Sequence, residues 1–498
     1  MTRKIFKMVT VVLVWCILIS NAAFAEENIS KDKTASNLEY LEKIMNLIKE
    51  RYNYQVTDEQ LIEGAVNGMF DTMDQYTDFF DLRESDDFLN DIKGSYVGIG
   101  VRIFSQANNV FVSEVFEKSS ADKAGIINGD IIVKVGEESV EGKSSEETAE
   151  LIKGREGTKV YLEIKRAGQK DLVKVEVERA KIKVDPVTYD IKNDIGYIKL
   201  DIFNSNSDYC IKKALKEIDG KNINKLILDL RDNPGGTVSE VVKIAERFVP
   251  KGLITKLDFK SETIEDEEYY SENENLKYEL VVLVNESSAS ASEILAGAIQ
   301  DTGVGVLVGT NTYGKGKVQN IYPILTPKAY SENEQKYGIE IVDGDELINE
   351  HSMSYQDDEV LGWTKITTGE YYTPNGRMID GIGLEPDFYI ENSYIKNNID
   401  IRDIDTLSKK IKPYLDEKSI DVLNCEKLLK FLGYKISNPD VIFDSQTADA
   451  VREFQKDNGF YSYGVLDFST QEALNEKLEN LVLEYDKQMA KAIELLKD

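Results

Sequence analysis

The sequence predicts a multidomain α/β chain, and three patterns predict it. Between residues 185 and 390, apolar strands alternate with helical periods, which implies a largely parallel buried sheet under covering helices. Between 95 and 182, short β-branched runs alternate with turn residues, which implies a small barrel-like β module. Residues 36–90 and 403–476 carry apolar residues at helical spacing. At 498 residues with 41% apolar side chains, the chain has material for about three or four domains, each with a core.

The charge balance removes whole function classes. There are 60 Lys and Arg against 90 Asp and Glu, a formal charge of −30. No basic footprint is available to replace phosphate counterions, so no nucleic-acid partner is expected, nor adsorption to an anionic bilayer. His351 is the one histidine, so any Ser-His-Asp or Cys-His mechanism would have to run through it. A His-rich metal centre is ruled out, and three scattered cysteines make a poor zinc site. No metal and no organic cofactor is expected. Cys16 falls in the N-terminal apolar stretch; Cys210 and Cys425 can pair or stand as free thiols, because sequence shows no proximity.

Residues 1–25 read as an address. Arg3, Lys4 and Lys7 precede an apolar run from Met8 to Ile19, and Ala23-Phe24-Ala25 fits a small-x-small cleavage site. The segment is a signal peptide cleaved after Ala25, or an uncleaved N-terminal anchor; the bulk of the chain is then exported, secreted or membrane-anchored. A helical segment at 36–94 follows, either a two-helix cap or a dimer contact. The β module spans 95–182, with strands at Val110–Val115, Ile131–Val135, Lys159–Ile164 and Leu172–Val177 and a helix at Ser145–Lys153. The α/β core spans 183–400. A polar, acidic stretch at about 328–359, containing His351, interrupts it and reads as an inserted surface loop. A small helical unit occupies 403–476, and 477–498 is a charged helical tail.

Three stretches of the core can carry chemistry. The strand from Tyr278 runs into Asn285-Glu286-Ser287-Ser288-Ala289-Ser290-Ala291-Ser292-Glu293 and then an apolar helix. A serine at that turn sits on rigid elements, beside helix N–H groups that can hold an oxyanion. The same residues also fit a plain capping box, with Ser290 as N-cap and Glu293 at the third helical position. Next, Tyr313-Gly314-Lys315-Gly316-Lys317-Val318-Gln319 places a lysine between glycines. Without a histidine at hand, a desolvated lysine is the economical base for a serine, and a glutamine four residues on can orient it without holding it charged. The bland alternative is a solvated turn. Last, Asp229-Leu230-Arg231-Asp232-Asn233-Pro234-Gly235-Gly236 ends an apolar strand in a turn whose free N–H groups suit an oxyanion hole, or make an ordinary strand-to-helix loop.

Together these motifs resemble the carboxyl-terminal processing proteases, also called tail-specific proteases, of peptidase family S41. Leu361-Gly362-Trp363 and Tyr371-Tyr372-Thr373-Pro374-Asn375-Gly376-Arg377 are similar to that family's closing strands. The likeness covers about residues 36–390. It implies a crotonase-like α/β serine protease core in which Ser290 is the nucleophile, Lys315 the base and Gln319 the residue orienting it. The oxyanion donors it implies are the N–H groups of Ala291 and of Gly235 or Gly236. The module at 95–182 then resembles a PDZ domain, with Gly98, Ile99, Gly100 and Val101 as its carboxylate-binding, peptide-binding loop. Consecutive N–H groups there capture the C-terminus of a protein substrate, which adds as a strand. Residues 421–476 resemble a peptidoglycan-binding domain, so peptidoglycan is an expected partner, and the family likeness implies a homodimer.

Two rivals stand beside the protease. A catalytically inactive PDZ and peptidoglycan-binding scaffold would keep the modules without the chemistry; the presence of Ser290, Lys315 and Gln319 together speaks against it. Coenzyme-A chemistry, known on crotonase-like folds, is disfavoured by export and by the lack of a basic nucleotide-binding patch.

Overall fold

The computed structural model describes residues 36–497, apart from 107, 168, 170, 184 and 262–264. The expected address at 1–25 lies outside the described residues. The described residues divide into two compact units, one made of 36–82 with Gln319–Thr367, the other of Arg83–Val318 with 368–497.

In the first unit, a helix over 36–51 precedes a helix at Asp58–Phe70, which Thr57 and Gln60 start with a reciprocal capping box. Leu38, Leu41, Leu47 and Met69 remain exposed on these helices, as does Tyr52 just after the first. The helical reading of 36–90 misses a strand, Asp78–Asp81, which pairs antiparallel with Gly362–Lys365. Four residues carry too little period to read, and a partner so distant in sequence made the strand. The 328–359 stretch corrects a second expectation. It is no loop: helices run over Pro327–Tyr337, capped by Thr326 with a proline in its first turn, and over Gly344–His351, capped by Asp343. Leu325, Ala329 and Leu347 form a small buried core between them, with Ile339, Met353 and Tyr355 packed on it. An acidic composition hid those few apolar anchors. His351 closes the second helix and is exposed.

In the second unit, the β module is a sheet of β1 (Val101–Gln106), β2 (Asn109–Val115), β3 (Ile131–Val135), β4 (Lys159–Lys165) and β5 (Val173–Glu178), paired in that order, with helix α1 (Ser145–Ile152) beside β1. β1 is its edge strand. The core sheet also runs in sequence order: β6 (Val187–Lys192), β7 (Ile195–Leu200), β8 (Lys225–Asp229), β9 (Glu279–Val284), β10 (Gly305–Gly309) and β11 (Phe388–Tyr389). β6 and β7 make an antiparallel pair; the rest are parallel. Period-two alternation sorts the side chains. Ile198, Leu226, Leu228, Val282 and Leu307 pack inward under α2 (Ser207–Gly220), α3 (Val238–Ala245) and α4 (Ala291–Thr302). Ile195, Ile227, Val281 and Val308 face the other way.

At the C-terminal side lie α5 (Ile420–Leu432), α6 (Ser445–Asp457), α7 (Phe468–Tyr485) and α8 (Lys487–Leu495). α7 runs through residues 476 and 477, where the sequence divides unit from tail. The tail is no free helix: Ala492 and Leu496 are buried on the outer face of the core sheet. Leu423 and Val441 of the helical unit are buried against Phe111 and Ile131 of the β module. Cys210 and Cys425 are both free and buried, so the pairing alternative is not realised.

Glu426 on α5 is buried, accepts from Thr447 Oγ1 and from the Asp440 N–H at 2.7 Å, and burial pushes its carboxyl up to about 7, with Asp440 and Asp444 adding repulsion. The folded value lies above the ordinary 4.5, so the native state holds the proton more tightly and stability falls as pH rises from about 4.5 to about 7. Hydrogen exchange across that range should show α5 and α6 amides losing protection as pH rises, with a flatter profile in Glu426→Gln. The same slope in both proteins would contradict this assignment.

Candidate active site

Parallel strands deliver their connecting loops to one edge of a sheet, outside the carboxyl ends. Here Asp229, Leu283 and Val308 lie in one register row of β8, β9 and β10. The loops that follow them, 230–237, 285–290 and 310–316, carry the three motifs and meet.

The serine run shows how the middle residue is set apart. Ser288 Oγ donates to the Leu230 carbonyl at 2.7 Å and Ser292 Oγ to the Asn233 carbonyl at 2.9 Å, both buried and both fastening the loop to its neighbour after β8. Ser290 is partly exposed at the start of α4, with φ 55° and ψ −115°. A non-glycine residue in that region stores about 1–3 kcal/mol of strain, held only where the surroundings over-determine it. Gly235 lies directly against it: a Cβ there would stand 2.8 Å from Ser290 Cβ and 3.0 Å from the Ala291 nitrogen. The Gly235 N–H donates to Asn233 Oδ1 at 2.9 Å. The next glycine, Gly236, is exposed and crosses Phe203 so closely that any Cβ would strike the Phe203 carbonyl. Ser292 and Glu293 give their N–H groups to the carbonyls of Ala289 and Ser290, while Ala291 holds the first helical position between them.

A residue whose role the motif reading missed joins the serine loop to the lysine loop. Glu293 is fully buried. Its Oε2 accepts from the N–H groups of Ser290 and Lys315, each at 2.9 Å, and its Oε1 from the Gly314 N–H at 2.8 Å and Thr312 Oγ1 at 2.6 Å. Burial raises its carboxyl above the ordinary glutamate value, against the pull of those four bonds. The buried Tyr371 hydroxyl lies within hydrogen-bond reach of the carbonyls of both Ser290 and Lys315. Sequence offered Glu293 only as a capping residue and gave Tyr371 no role; the signal that finds both is burial of a polar group that must be satisfied.

The glycines around Lys315 do what close approach requires. A Cβ on Gly314 would stand 2.8 Å from the Gly383 nitrogen, and one on Gly316 2.8 Å from Asp380. Lys315 is partly buried, whereas Lys317 pairs with Glu370 and with Asp380 at 3.2 Å, which raise its pKa and keep it charged. Gln319 lies in the strand Lys317–Leu325, on the first unit; its Nε2 is buried with no hydrogen-bond partner among the described residues.

The predicted peptide-binding loop sits at the start of β1. Ile99 is buried, and its carbonyl accepts from the Ala121 N–H at 2.8 Å, while the Gly100 carbonyl accepts from Phe116 at 3.0 Å. Gly100 has φ 83°, and a Cβ there would collide with Ser119. Val101 and Ile103 of β1 and Leu151 of α1 are partly buried on the module's core, leaving an apolar side between strand edge and helix.

Family models match in four places: peptidase family S41 at 194–390, a PDZ domain at 111–166, a putative peptidoglycan binding domain at 418–474 and the N-terminal domain of the activating protease CtpB at 15–83. A probable CtpA-like serine protease of Staphylococcus epidermidis is 30% identical, over 94% of this chain and 87% of the relative. The carboxy-terminal processing protease CtpB of Bacillus subtilis is 30% identical over 92% of this chain and 87% of its own. Among solved structures, a photosystem II D1 C-terminal processing protease is 25% identical, with a TM-score of 0.39 over 70% of this chain and 86% of that one.

Glu293→Gln tests the clamp. The amide turns an acceptor oxygen into a donor facing N–H groups, which leaves a buried donor unsatisfied at about 1–3 kcal/mol. Cleavage of an unfolded protein substrate should drop by about 10–100-fold with the fold retained. In wild type, protonation of Glu293 releases the clamp as pH falls, so the acid limb of the rate profile should lie above the ordinary glutamate range, and the variant should lack that limb.

Proposed function

The chain belongs to the carboxy-terminal processing proteases of peptidase family S41, and we propose that it is an exported serine endopeptidase that takes hold of protein C-termini and cleaves by a Ser/Lys mechanism. The observation that carries this reading is the meeting of three loops around Ser290: Gly235 packed against it, Ala291 beginning its helix, and Glu293 binding it to the Lys315 backbone. Ser290 Oγ attacks the peptide carbonyl as Lys315 Nζ, as the neutral amine, takes its proton. The oxyanion is held by the N–H groups of Ala291 and Gly236, since that of Gly235 is engaged by Asn233. Lys315 returns the proton to the leaving amine, an acyl-enzyme remains, and water attacks it by the same route in reverse. Gln319 enters by family likeness as the residue that orients Lys315.

The wider organisation is proposed on the same basis. The six-stranded sheet in sequence order, parallel after its first pair and covered by α2–α4, supports a crotonase-like core at 183–400. The PDZ match and the pinned Gly98–Val101 loop beside an edge strand support a PDZ domain at 95–182 that binds a substrate C-terminus by strand addition. The match at 418–474 supports a peptidoglycan-binding unit at 403–476, hence a place outside the cytoplasmic membrane. Export by residues 1–25 rests on the sequence. The exposed apolar side chains of 36–73 support homodimer formation through the 36–94 segment.

The deciding experiment compares wild type with Ser290→Ala and Lys315→Ala, all without residues 1–25, on a small unfolded protein with an apolar C-terminus. Wild type alone should cleave. Full activity in Lys315→Ala would remove the base assignment, and no cleavage by any of the three, even with peptide added, would favour the inactive scaffold. Separately, Gly100→Ala should weaken binding of an apolar C-terminal peptide by about tenfold or more, and amidating the peptide should weaken wild-type binding similarly.

A further inference from the structure

On the outer face of the core sheet, away from α2–α4, a cleft of about 1080 Å³ lies between β6–β8 and the helices α7 and α8. That is the size of a site for a drug-sized or short peptide ligand. Its far end opens at the carboxyl ends of β8, β9 and β10, beneath the loops that carry Ser290 and Lys315.

Most charges inside the cleft are paired, and Asp232, without a salt bridge among the described residues, accepts from Asn285 Nδ2 at 2.8 Å. Arg231 binds Asp229 at 2.6 Å and Asp486 at 2.8 Å; Arg402 binds Asp400 at 2.7 Å and lies over the Tyr394 ring; Lys192 reaches Asp190 at 3.1 Å. The end under the loops is different. Glu286 accepts from Thr310 Oγ1 at 2.9 Å and Glu391 from the Tyr389 hydroxyl at 2.9 Å, and neither carboxylate has a salt bridge among the described residues. The Tyr389 ring is 56% exposed beside them. Two carboxylates without a cation and an open aromatic face make a corner that fits a guanidinium or ammonium group. Asn311, also on the cleft wall, offers an amide group to a peptide backbone, whereas that of Asn392 is engaged by Asp486, Tyr394 and the Gln488 N–H.

We propose that this cleft is an exosite for a lysine- or arginine-bearing peptide segment, whose cationic side chain enters between Glu286 and Glu391 against Tyr389. The site is separate from the PDZ loop and needs no free carboxylate. It also stands on the catalytic loops themselves: Glu286 is four residues before Ser290, and Thr310 five before Lys315. The proposal does not rest on the Ser/Lys mechanism.

The test is a fluorescence anisotropy titration of the full chain carrying Ser290→Ala. One probe is a labelled Lys-Tyr-Lys-Tyr-Lys amide, blocked at both ends so that the PDZ loop has no carboxylate to hold; the other is its Glu-Tyr-Glu-Tyr-Glu counterpart. The basic probe should bind at least about tenfold tighter than the acidic one, and Glu286→Gln with Glu391→Gln should lose about tenfold of that affinity. Because the whole chain is acidic, the control is an equivalent acidic and tyrosine cluster outside the cleft: Glu267→Gln with Glu268→Gln, next to Tyr269 and Tyr270. That pair should change binding by less than about twofold. Equal binding of the two probes, or an equal loss in the control pair, would overturn the proposal. Asn311→Arg, which sets a cation on the rim without removing a carboxylate, should weaken the basic probe as well, and no effect would count against the site.

Discussion

One buried carboxylate holds the candidate site together. Glu293 belongs to the helix that Ser290 begins, yet of its four shortest bonds two go to backbone N–H groups of the lysine loop and a third to Thr312 beside it. A carboxylate removed from water is costly to keep unless its lone pairs are filled, and here filling them fixes the relative position of two loops from different strands. The strained backbone at Ser290 depends on this. Nothing local would keep a serine at positive φ; the Glu293 bond to its N–H, Gly235 packed on its Cβ, and the anchored hydroxyls of Ser288 and Ser292 do so together.

The same economy recurs behind the sheet. Arg231 leaves the motif strand to meet Asp229, Asp486 and the Tyr394 hydroxyl in a nearly buried cluster. Burial works against its charge, but the two carboxylates outweigh that and hold it protonated. Removing one partner of such a cluster leaves an uncompensated charge, about 3–5 kcal/mol, so the junction of α7 and α8 is bound to the strand that leads into Gly235 and Gly236. The helical unit is tied at a second place, where Leu423 and Val441 bury against Phe111 and Ile131 of the β module. A core, a peptide-binding-type module and a wall-binding-type module therefore share one compact unit through apolar and ionic contacts that no linker would provide.

Much of this was legible in the sequence, for identifiable reasons. Ile131–Val135 and Ile195–Leu200 are mostly apolar and interrupted by a single lysine each, and their limits coincide with the strands. Ser290, Gly235 and the Lys315 backbone are brought together because the motifs sit at the ends of adjacent parallel strands. What stayed hidden depends on partners far along the chain. Asp78–Asp81 is a strand only because Gly362–Lys365 lies beside it. The helices in 327–351 needed just Leu325, Ala329 and Leu347 to gain a core, too few to stand out among charges. Glu293 and Tyr371 looked like a cap and a strand residue, since sequence does not show which polar groups are buried together.

Cys210 and Cys425 give the molecule two internal reporters. Each is a buried thiol in a different part of the chain, one on α2 under the core sheet and one within α5. Burial pushes Cys210 up to about 12 and Cys425 upward as well, so neither is a ready nucleophile while its surroundings are closed. In the chain without residues 1–25, no other thiol competes. The rate at which each is alkylated then measures how often its own neighbourhood opens, giving separate clocks for the breathing of the catalytic core and of the C-terminal helices in a single sample.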